Sequence, residues 1–303
     1  MPWKTYFLRY RLVSPLHIGA PALGNVQRTL YYLPGKTLWG AATAMLTRRF
    51  INQLADQHYQ KVGKFVEENI RFGYFFPEQN GQRFLPRLVN GQFFCGNLTK
   101  EEFEYRFLVS EASTAIEPTR FAQADGTLHE TEYLFPKSLQ GQPAPPLYFS
   151  GYLYLQQERL GPDDDVGALK QANDRDLMEM LCELFIGANR RMGAGKLLRE
   201  GKVPDAEEGG NLPLPTPGPN DWSLPCPYLA SHLKCAPNFE KAQEKILGPI
   251  QPLVERIWAP SKNSRRGPGQ DITTAVIAWA PGARVLDEKL AFGVAAYGRW
   301  EVM

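Results

Sequence analysis

The stretch that most constrains this chain is residues 185–198, FIGANRRMGAGKLL, where glycines are interleaved with basic side chains. Glycine reaches left-handed backbone conformations and lets other groups approach the backbone closely. Backbone amides beside guanidinium and ammonium groups suit phosphate oxygens. The stretch therefore predicts an anion-binding loop formed by Gly187, Asn189, Arg190, Arg191, Gly193, Gly195 and Lys196. The other interpretation is a helix C-cap glycine followed by a flexible turn with solvated basic residues.

Two known phosphate-binding motifs are absent from this stretch. A Walker loop ends in Gly-Lys followed by a hydroxyl residue, but Leu197 follows Gly195-Lys196 and Arg190 stands where the first glycine belongs. A dinucleotide fingerprint needs a third glycine after Gly193-Ala194-Gly195, and none follows within three residues. The sequence therefore argues against a nucleotide-hydrolysing site.

Composition predicts a folded chain whose charge is balanced. Hydrophobic residues make up 43% of the 303 residues, and 34 basic against 32 acidic residues give a net charge of +2. Any affinity for nucleic acid must therefore come from local clusters of basic residues. The glycine-rich stretch is one such cluster, and Arg265-Arg266 is a second. The four cysteines lack zinc-site spacing and the acidic residues form no catalytic set, so no metal or cofactor is expected. Without a signal peptide or a membrane-length apolar run, we expect a cytoplasmic protein that contacts no membrane.

The hydrophobic pattern predicts an α+β fold. Strands are expected over residues 4–14, 103–110, 147–156 and 196–203, with helices over 38–54 and 166–186. This is the β-α-β-β-α-β order of a ferredoxin-like core. We expect that core within residues 1–203, with insertions at about 71–100 and 114–146. A Pro/Gly-rich linker over 204–238 precedes a smaller C-terminal α+β unit, 239–303.

Three short motifs occur in order along this pattern. SPLHIG, residues 14–19, follows the first strand; LPGKTLWGA, residues 33–41, begins the first helix; and the glycine-rich stretch follows the second helix. Together they resemble the RAMP superfamily of CRISPR-associated proteins, whose ferredoxin-like subunits bind RNA. The resemblance covers roughly the first two thirds of the chain.

The resemblance implies a subunit of a type III CRISPR effector, a ribonucleoprotein complex of antiviral defence. Backbone subunits of such complexes cut target RNA with an aspartate after the first strand, but residues 20–27, APALGNVQ, contain no acidic residue. We therefore expect a non-catalytic subunit. Residues 75–86 and 114–135 resemble the subunit that holds the five-prime handle of the crRNA beside the large palm-domain subunit. Its partners would be the crRNA, the large palm-domain subunit and the backbone subunits. The implied RNA-binding residues are His17, Arg28, Lys36, Arg120, Gly187, Asn189, Arg190, Arg191, Gly193, Gly195, Lys196, Arg265 and Arg266.

Two alternatives stay open at this point. His17 could act as general base on a ribose hydroxyl in a metal-independent endoribonuclease that processes precursor crRNA, or it could simply hydrogen-bond the chain. Without the family resemblance, the chain would be an anion- or nucleotide-binding α+β protein.

Overall fold

The structure is a computed structural model. It describes residues 3–50, 56–141, 144–159, 166–203, 228–235, 245–257, 271–273, 275–287, 290 and 292–302. Arg265, Arg266 and most of the predicted linker lie outside the described residues.

Up to residue 203, long strands alternate with short hairpins and a few helices. The strands are β1 (Trp3–Leu12), β2 (Val26–Gln27), β3 (Ile70–Phe72), β4 (Phe76–Gln79), β5 (Gln82–Arg83), β6 (Pro86–Val89), β7 (Gln92–Cys95), β8 (Leu98–Thr99), β9 (Leu108–Ser113), β10 (Ile116–Glu117), β11 (Ala122–Gln123), β12 (His129–Leu134), β13 (Tyr148–Gln156), β14 (Glu183–Phe185) and β15 (Lys196–Arg199). The helices are α1 (Gly35–Phe50), α2 (Asp56–Asn69), α3 (Lys100–Phe107), α4 (Gly167–Gln171) and α5 (Asp174–Met180). Among the described residues, no helix is long and apolar enough to span a membrane.

The C-terminal part consists of short strands. They are β16 (Leu233–Lys234), β17 (Ile246–Leu247), β18 (Ile250–Leu253), β19 (Arg256–Ile257), β20 (Asp271–Ile272), β21 (Val276–Trp279), β22 (Arg284–Val285), β23 (Phe292–Val294) and β24 (Trp300–Val302). A 3-10 turn at Ala296–Gly298 precedes the last strand. Within the described part of 239–303 there is no α-helix, and the predicted division into a linker and a C-terminal α+β unit stays a prediction.

The central sheet has the strand order β14-β15-β1-β13-β4-β5, with β3 also paired to β13. Its pairings are antiparallel, and β1 lies along β13 from Trp3 opposite Gln156 to Arg11 opposite Tyr148. The predicted alternation of β1 is confirmed, because its even-numbered residues Tyr6 to Leu12 are buried. The predicted α+β class is confirmed as a mixed fold with mostly antiparallel sheets.

Each face of the central sheet is covered by a different part of the chain. Helices α1 and α2 pack on the face that carries Tyr6 and Leu153. On the other face, Tyr152 and Tyr154 share a cluster with Trp300 and other residues of the sheet β18-β21-β16-β24-β23. The central sheet is thus buried on both sides.

The strand predicted over 103–110 is wrong for its first half. Thr99 accepts a hydrogen bond from the Glu102 amide, and the Glu102 carboxylate accepts one from the Thr99 amide. This capping box starts α3, on which Phe103 and Phe107 face the core one turn apart. The following strand, β9, joins the separate sheet β2-β12-β9. The central sheet instead takes β3 and β4 from residues 70–79, largely within the predicted insertion.

The single helix predicted over 166–186 is also wrong. The chain forms α4, breaks at extended Ala172, and starts α5 after Asn173, whose side chain accepts from the Asp176 amide at 2.8 Å. It then enters β14, which pairs with β15. The N-cap at Asn173 explains the break, since asparagine satisfies the free amides of a new helix start.

Candidate nucleic-acid interface

The glycine-rich stretch forms the turn of a hairpin. The glycine loop, residues 186–195, joins β14 to β15. Left-handed backbone occurs at Gly187, Asn189, Gly193 and Gly195, with φ of 77°, 55°, 89° and 78°. A single 3-10 turn, Arg190–Met192, lies between them. A folded loop therefore occupies these residues, and the helix C-cap interpretation is wrong because a strand precedes Gly187. Anion binding by the loop stays a prediction.

Two of the glycines are required by close backbone approach. A Cβ atom at Gly187 would lie 2.2 Å from the carbonyl oxygen of His17, and one at Gly195 would lie 1.8 Å from that of Ile186. Both distances are far below van der Waals contact. At Gly193 a Cβ would meet nothing within 4 Å, so that glycine faces open space.

Backbone hydrogen bonds attach the loop to the segment after β1. The Ala188 amide donates to the His17 carbonyl at 3.0 Å, and the Gly195 amide donates to the Pro15 carbonyl at 2.8 Å. The Lys196 amide donates to the Ser14 hydroxyl at 2.9 Å. Two motifs about 170 residues apart in sequence thus form one unit, and this pairing fixes the loop in place.

The loop presents Arg190 and Arg191 to solvent, with Met192 beside them 80% exposed. Within the described part of the chain, neither guanidinium forms an ion pair. The side-chain amide of Asn189 donates to the Tyr133 hydroxyl at 2.5 Å. This hydrogen bond holds the residue that directly precedes the two arginines. The loop therefore offers two adjacent cations from a fixed backbone, a geometry suited to phosphate oxygens.

Lys196 is engaged inside the hairpin. Its ammonium lies 2.6 Å from a carboxylate oxygen of Glu183 on the neighbouring strand and 5.6 Å from the centre of the Phe185 ring. Because this charge already has a partner, Lys196 offers an external anion less than the two arginines do.

His17 is buried and has a structural contact. Its Nδ1 lies 2.8 Å from the Glu132 carbonyl oxygen, and because a carbonyl only accepts, Nδ1 carries the proton. The ring packs edge-on against Tyr133, with centroids 6.0 Å apart. Only 5% of the residue is exposed. A general base must reach the proton it removes, so this geometry favours the structural interpretation of His17.

The three other predicted RNA-binding residues that the structure describes, Arg28, Arg120 and Lys36, lie in separate environments. Arg28 lies near the Tyr31 hydroxyl; burial, the larger effect, raises the pKa of that group, and the charge of Arg28 acts to lower it. Arg120 sits in the turn between β10 and β11, where it is 78% exposed and 3.8 Å from Glu117. Lys36 lies at the start of α1 with its ammonium 4.0 Å from the Trp39 ring centre. The structure thus brings the glycine-loop residues together with His17. Arg28, Arg120 and Lys36 contact other parts of the chain.

Sequence reasoning missed the residues that support the loop. Tyr133 bonds Asn189, and Glu132 both accepts from His17 and binds the Thr29 amide through its carboxylate at 3.1 Å. Both residues lie on β12, in a region predicted to be an insertion. No local pattern reveals these contacts, since they join residues more than 50 positions apart.

Comparison with known proteins finds similarity in structure. No family model matches this chain, and no curated protein matches it. A chain of the Type III-B Cmr-beta complex bound to cognate target RNA and AMPPnP superposes with a TM-score of 0.53 at 12% identity, covering 92% of this chain and 85% of that one. A chain of Type III-B Cmr-beta bound to cognate target RNA gives 0.51 at 11% identity, covering 92% and 86%. These likenesses show a shared fold.

Proposed function

We propose that this protein is a non-catalytic RNA-binding subunit of a type III CRISPR effector complex in the cytoplasm. It holds the five-prime handle of the crRNA and docks to neighbouring subunits, including the large palm-domain subunit and the backbone subunits. The observation that carries the proposal is the glycine loop, which is fixed against residues 14–17 and presents Arg190 and Arg191 without carboxylate partners among the described residues. Lys196 lies at the base of the loop and is paired with Glu183, so the two arginines provide the principal contacts.

The fold supports this assignment. The superposed chains come from Cmr-beta complexes bound to cognate target RNA and share this architecture over most of their length. In addition, the antiparallel strand order β15-β1-β13-β4, with helices on one face, supports the expected ferredoxin-like core.

The covering of both faces of the central sheet supports RNA contact through the glycine loop. RNA-recognition domains built on a four-stranded sheet stack bases on aromatic side chains of the open face. Here Tyr152 and Tyr154 are buried under the C-terminal strands. RNA would therefore be held by phosphate contacts at the loop, which position a strand without reading its sequence.

Two features support a role without chemistry. His17 has its Nδ1 bound to a backbone carbonyl and is almost inaccessible. Residues 20–27, where backbone subunits of the family carry a cleaving aspartate, contain no acidic side chain.

The test is binding of the full chain to repeat-derived crRNA over a salt series, in magnesium and in chelator. Replacing Arg190 and Arg191 by alanine removes two phosphate contacts. The slope of log affinity against log salt should then fall by about 1.4, at about 0.7 per contact on a single strand. The matched control is Arg48→Ala with Arg49→Ala, an adjacent exposed pair at the end of α1. Equal losses in both double variants would contradict the proposal, and RNA cleavage in chelator that is lost in His17→Ala would replace it with an endoribonuclease.

A further inference from the structure

A cavity of about 260 Å³ lies between the start of α1 and the C-terminal strands. Lys36 contributes the N-terminal side, and Glu255, Thr273, Tyr297 and Arg299 contribute the other. None of these C-terminal residues belongs to the motifs that led to the proposed function. The cavity therefore stands apart from the glycine loop.

Lys36 is enclosed chiefly by aromatic rings, although Glu255 and Glu67 lie near enough to act on its charge. Its ammonium lies between two ring faces, 4.0 Å from the centre of Trp39 and 3.6 Å from that of Tyr297. Aromatic faces attract a cation, but an ammonium has three N–H donors that need acceptors. In the described part of the chain, no carboxylate forms an ion pair with it. Burial is the main cause that lowers the pKa of Lys36; Arg299 lowers it further, while Glu255 and Glu67 raise it.

The other charges of the cavity neutralise each other. Arg299 lies 3.0 Å from the carboxylate of Glu255, so Lys36 is the remaining positive charge of the lining. The carboxylate of Glu67, outside the lining, acts on both Lys36 and Tyr297. The Thr273 hydroxyl oxygen accepts from the Glu255 amide at 3.0 Å, which leaves the hydroxyl hydrogen to donate. Donors from three parts of the chain, at positions 36, 273 and 299, thus line one space.

The walls of the cavity are held by close backbone contacts. Tyr297 has a left-handed backbone with φ of 60°, which is uncommon for a bulky side chain. A Cβ at Gly35 would lie 2.3 Å from the Tyr297 carbonyl oxygen, and one at Gly298 would lie 2.0 Å from that of Phe72. The Ser231 hydroxyl also donates to the Gly298 carbonyl at 2.7 Å. The turn that carries Tyr297 is therefore fixed before any ligand arrives.

We propose that this cavity binds a phosphate group, with Lys36 as its principal ligand and Thr273 and Arg299 as further donors. A phosphate offers three or four tetrahedrally placed oxygens to donors that arrive from three directions, whereas a carboxylate offers two in one plane. The volume exceeds that of a phosphate ion and lies just below the usual range for small-molecule sites, about 300–1,000 Å³. The group would accordingly be free phosphate, or the phosphate of a mononucleotide or of an RNA end.

The test is protection of the Lys36 amine in the full-length protein. The chain is treated with an acylating reagent at pH 8, and acylation of each lysine is followed by mass spectrometry. Inorganic phosphate, a 5′-mononucleotide and oligoribonucleotides with a 5′-phosphate or a 5′-hydroxyl are the separate probes. We expect at least one phosphate-bearing probe to slow acylation of Lys36 tenfold or more. Lys64, which is 74% exposed and pairs with Glu68, should react at an unchanged rate. The most protective probe identifies the source of the phosphate.

Variants decide whether the site is responsible. Lys36→Met keeps the aliphatic stem and should weaken binding of the protective probe tenfold or more, whereas Lys64→Met should leave it unchanged. Should Lys36→Met fail to fold, Thr273→Val should still weaken binding several-fold and reduce protection of Lys36. Arg190→Ala with Arg191→Ala should leave the protection intact, which separates this site from the proposed RNA contact. The proposal is overturned by equal protection of Lys36 and Lys64, by equal protection from acetate, or by no protection from any phosphate.

Discussion

Replacing Gly195 by alanine should disrupt the glycine loop far more than the same change two residues earlier. Gly193 and Gly195 share the left-handed conformation, with φ of 89° and 78°. They differ in surroundings: an added Cβ meets nothing within 4 Å at Gly193, but lies 1.8 Å from the Ile186 carbonyl oxygen at Gly195. The pair therefore separates the cost of the backbone conformation from the cost of the close contact.

The two costs can be estimated from the contacts. Holding alanine in a left-handed conformation costs about 1–2 kcal/mol at either position, partly offset by about 0.4–1 kcal/mol because the unfolded chain loses freedom. At Gly195, the backbone must also move by about 1.5 Å to restore an ordinary carbon–oxygen contact near 3.3 Å. That shift breaks the hydrogen bonds to Ile186 and Pro15, at about 1 kcal/mol each. We therefore expect a loss of about 3 kcal/mol for Gly195→Ala and about 1 kcal/mol for Gly193→Ala.

Urea unfolding followed by circular dichroism measures this difference. With a denaturant slope of about 3 kcal/mol per M, the midpoint should fall by about 1 M for Gly195→Ala and by about 0.3 M for Gly193→Ala. RNA affinity should fall with the first change, because Arg190 and Arg191 lose their fixed position. Equal midpoints for the two variants would refute the argument that backbone contact, and not backbone conformation alone, requires glycine at 195.

Two further predictions concern stability. Burial, helped by Arg299, lowers the pKa of His232 from 6.5 to about 3, so the folded protein resists protonation that the unfolded chain accepts. Stability from this group is full above pH 6.5 and is lost as pH falls; at pH 5 the loss should be roughly 2 kcal/mol, and the pH-dependent part should be absent in His232→Gln. Thr99→Ala should cost about 1 kcal/mol through loss of the α3 cap; no change in the unfolding midpoint would contradict the capping box that Thr99 forms with Glu102.

Local patterns predicted the elements whose determinants are local. The alternation in β1 and the apolar strand β13 were predicted within a few residues, because each side chain faces its own layer of the core. The sequence does contain a signal for α3, since Thr99 and Glu102 have the spacing of a capping box. The alternating aromatic residues of the segment 103–107, FEYRF, are typical of a strand and led to the wrong prediction. Phe103 and Phe107 also lie one helical turn apart, which is the spacing that the structure uses.

The candidate sites depended on contacts that no local pattern contains. The glycines and basic residues predicted an anion-binding loop, but not that the Gly195 amide would donate to Pro15 or the Ala188 amide to His17. Likewise, the motif LPGKTLWGA predicted that Lys36 lies at the start of a helix. It did not predict the contact with the ring of Tyr297, which lies about 260 residues further along the chain. Such pairings follow from the order of strands in the sheet.

The C-terminal strands that cover one face of the central sheet are translated last, which affects how the chain folds during its synthesis. A chain leaves the ribosome N-terminus first, so the strands up to β15 can pair before the residues that cover Tyr152 and Tyr154 exist. At about 5–20 residues per second, the roughly 100 residues that follow take about 5–20 s to appear. During that interval an aromatic surface is open to water and to other chains. Expression at lower temperature or with added chaperone should therefore raise the soluble yield more for this protein than for one whose sheet is closed by earlier segments.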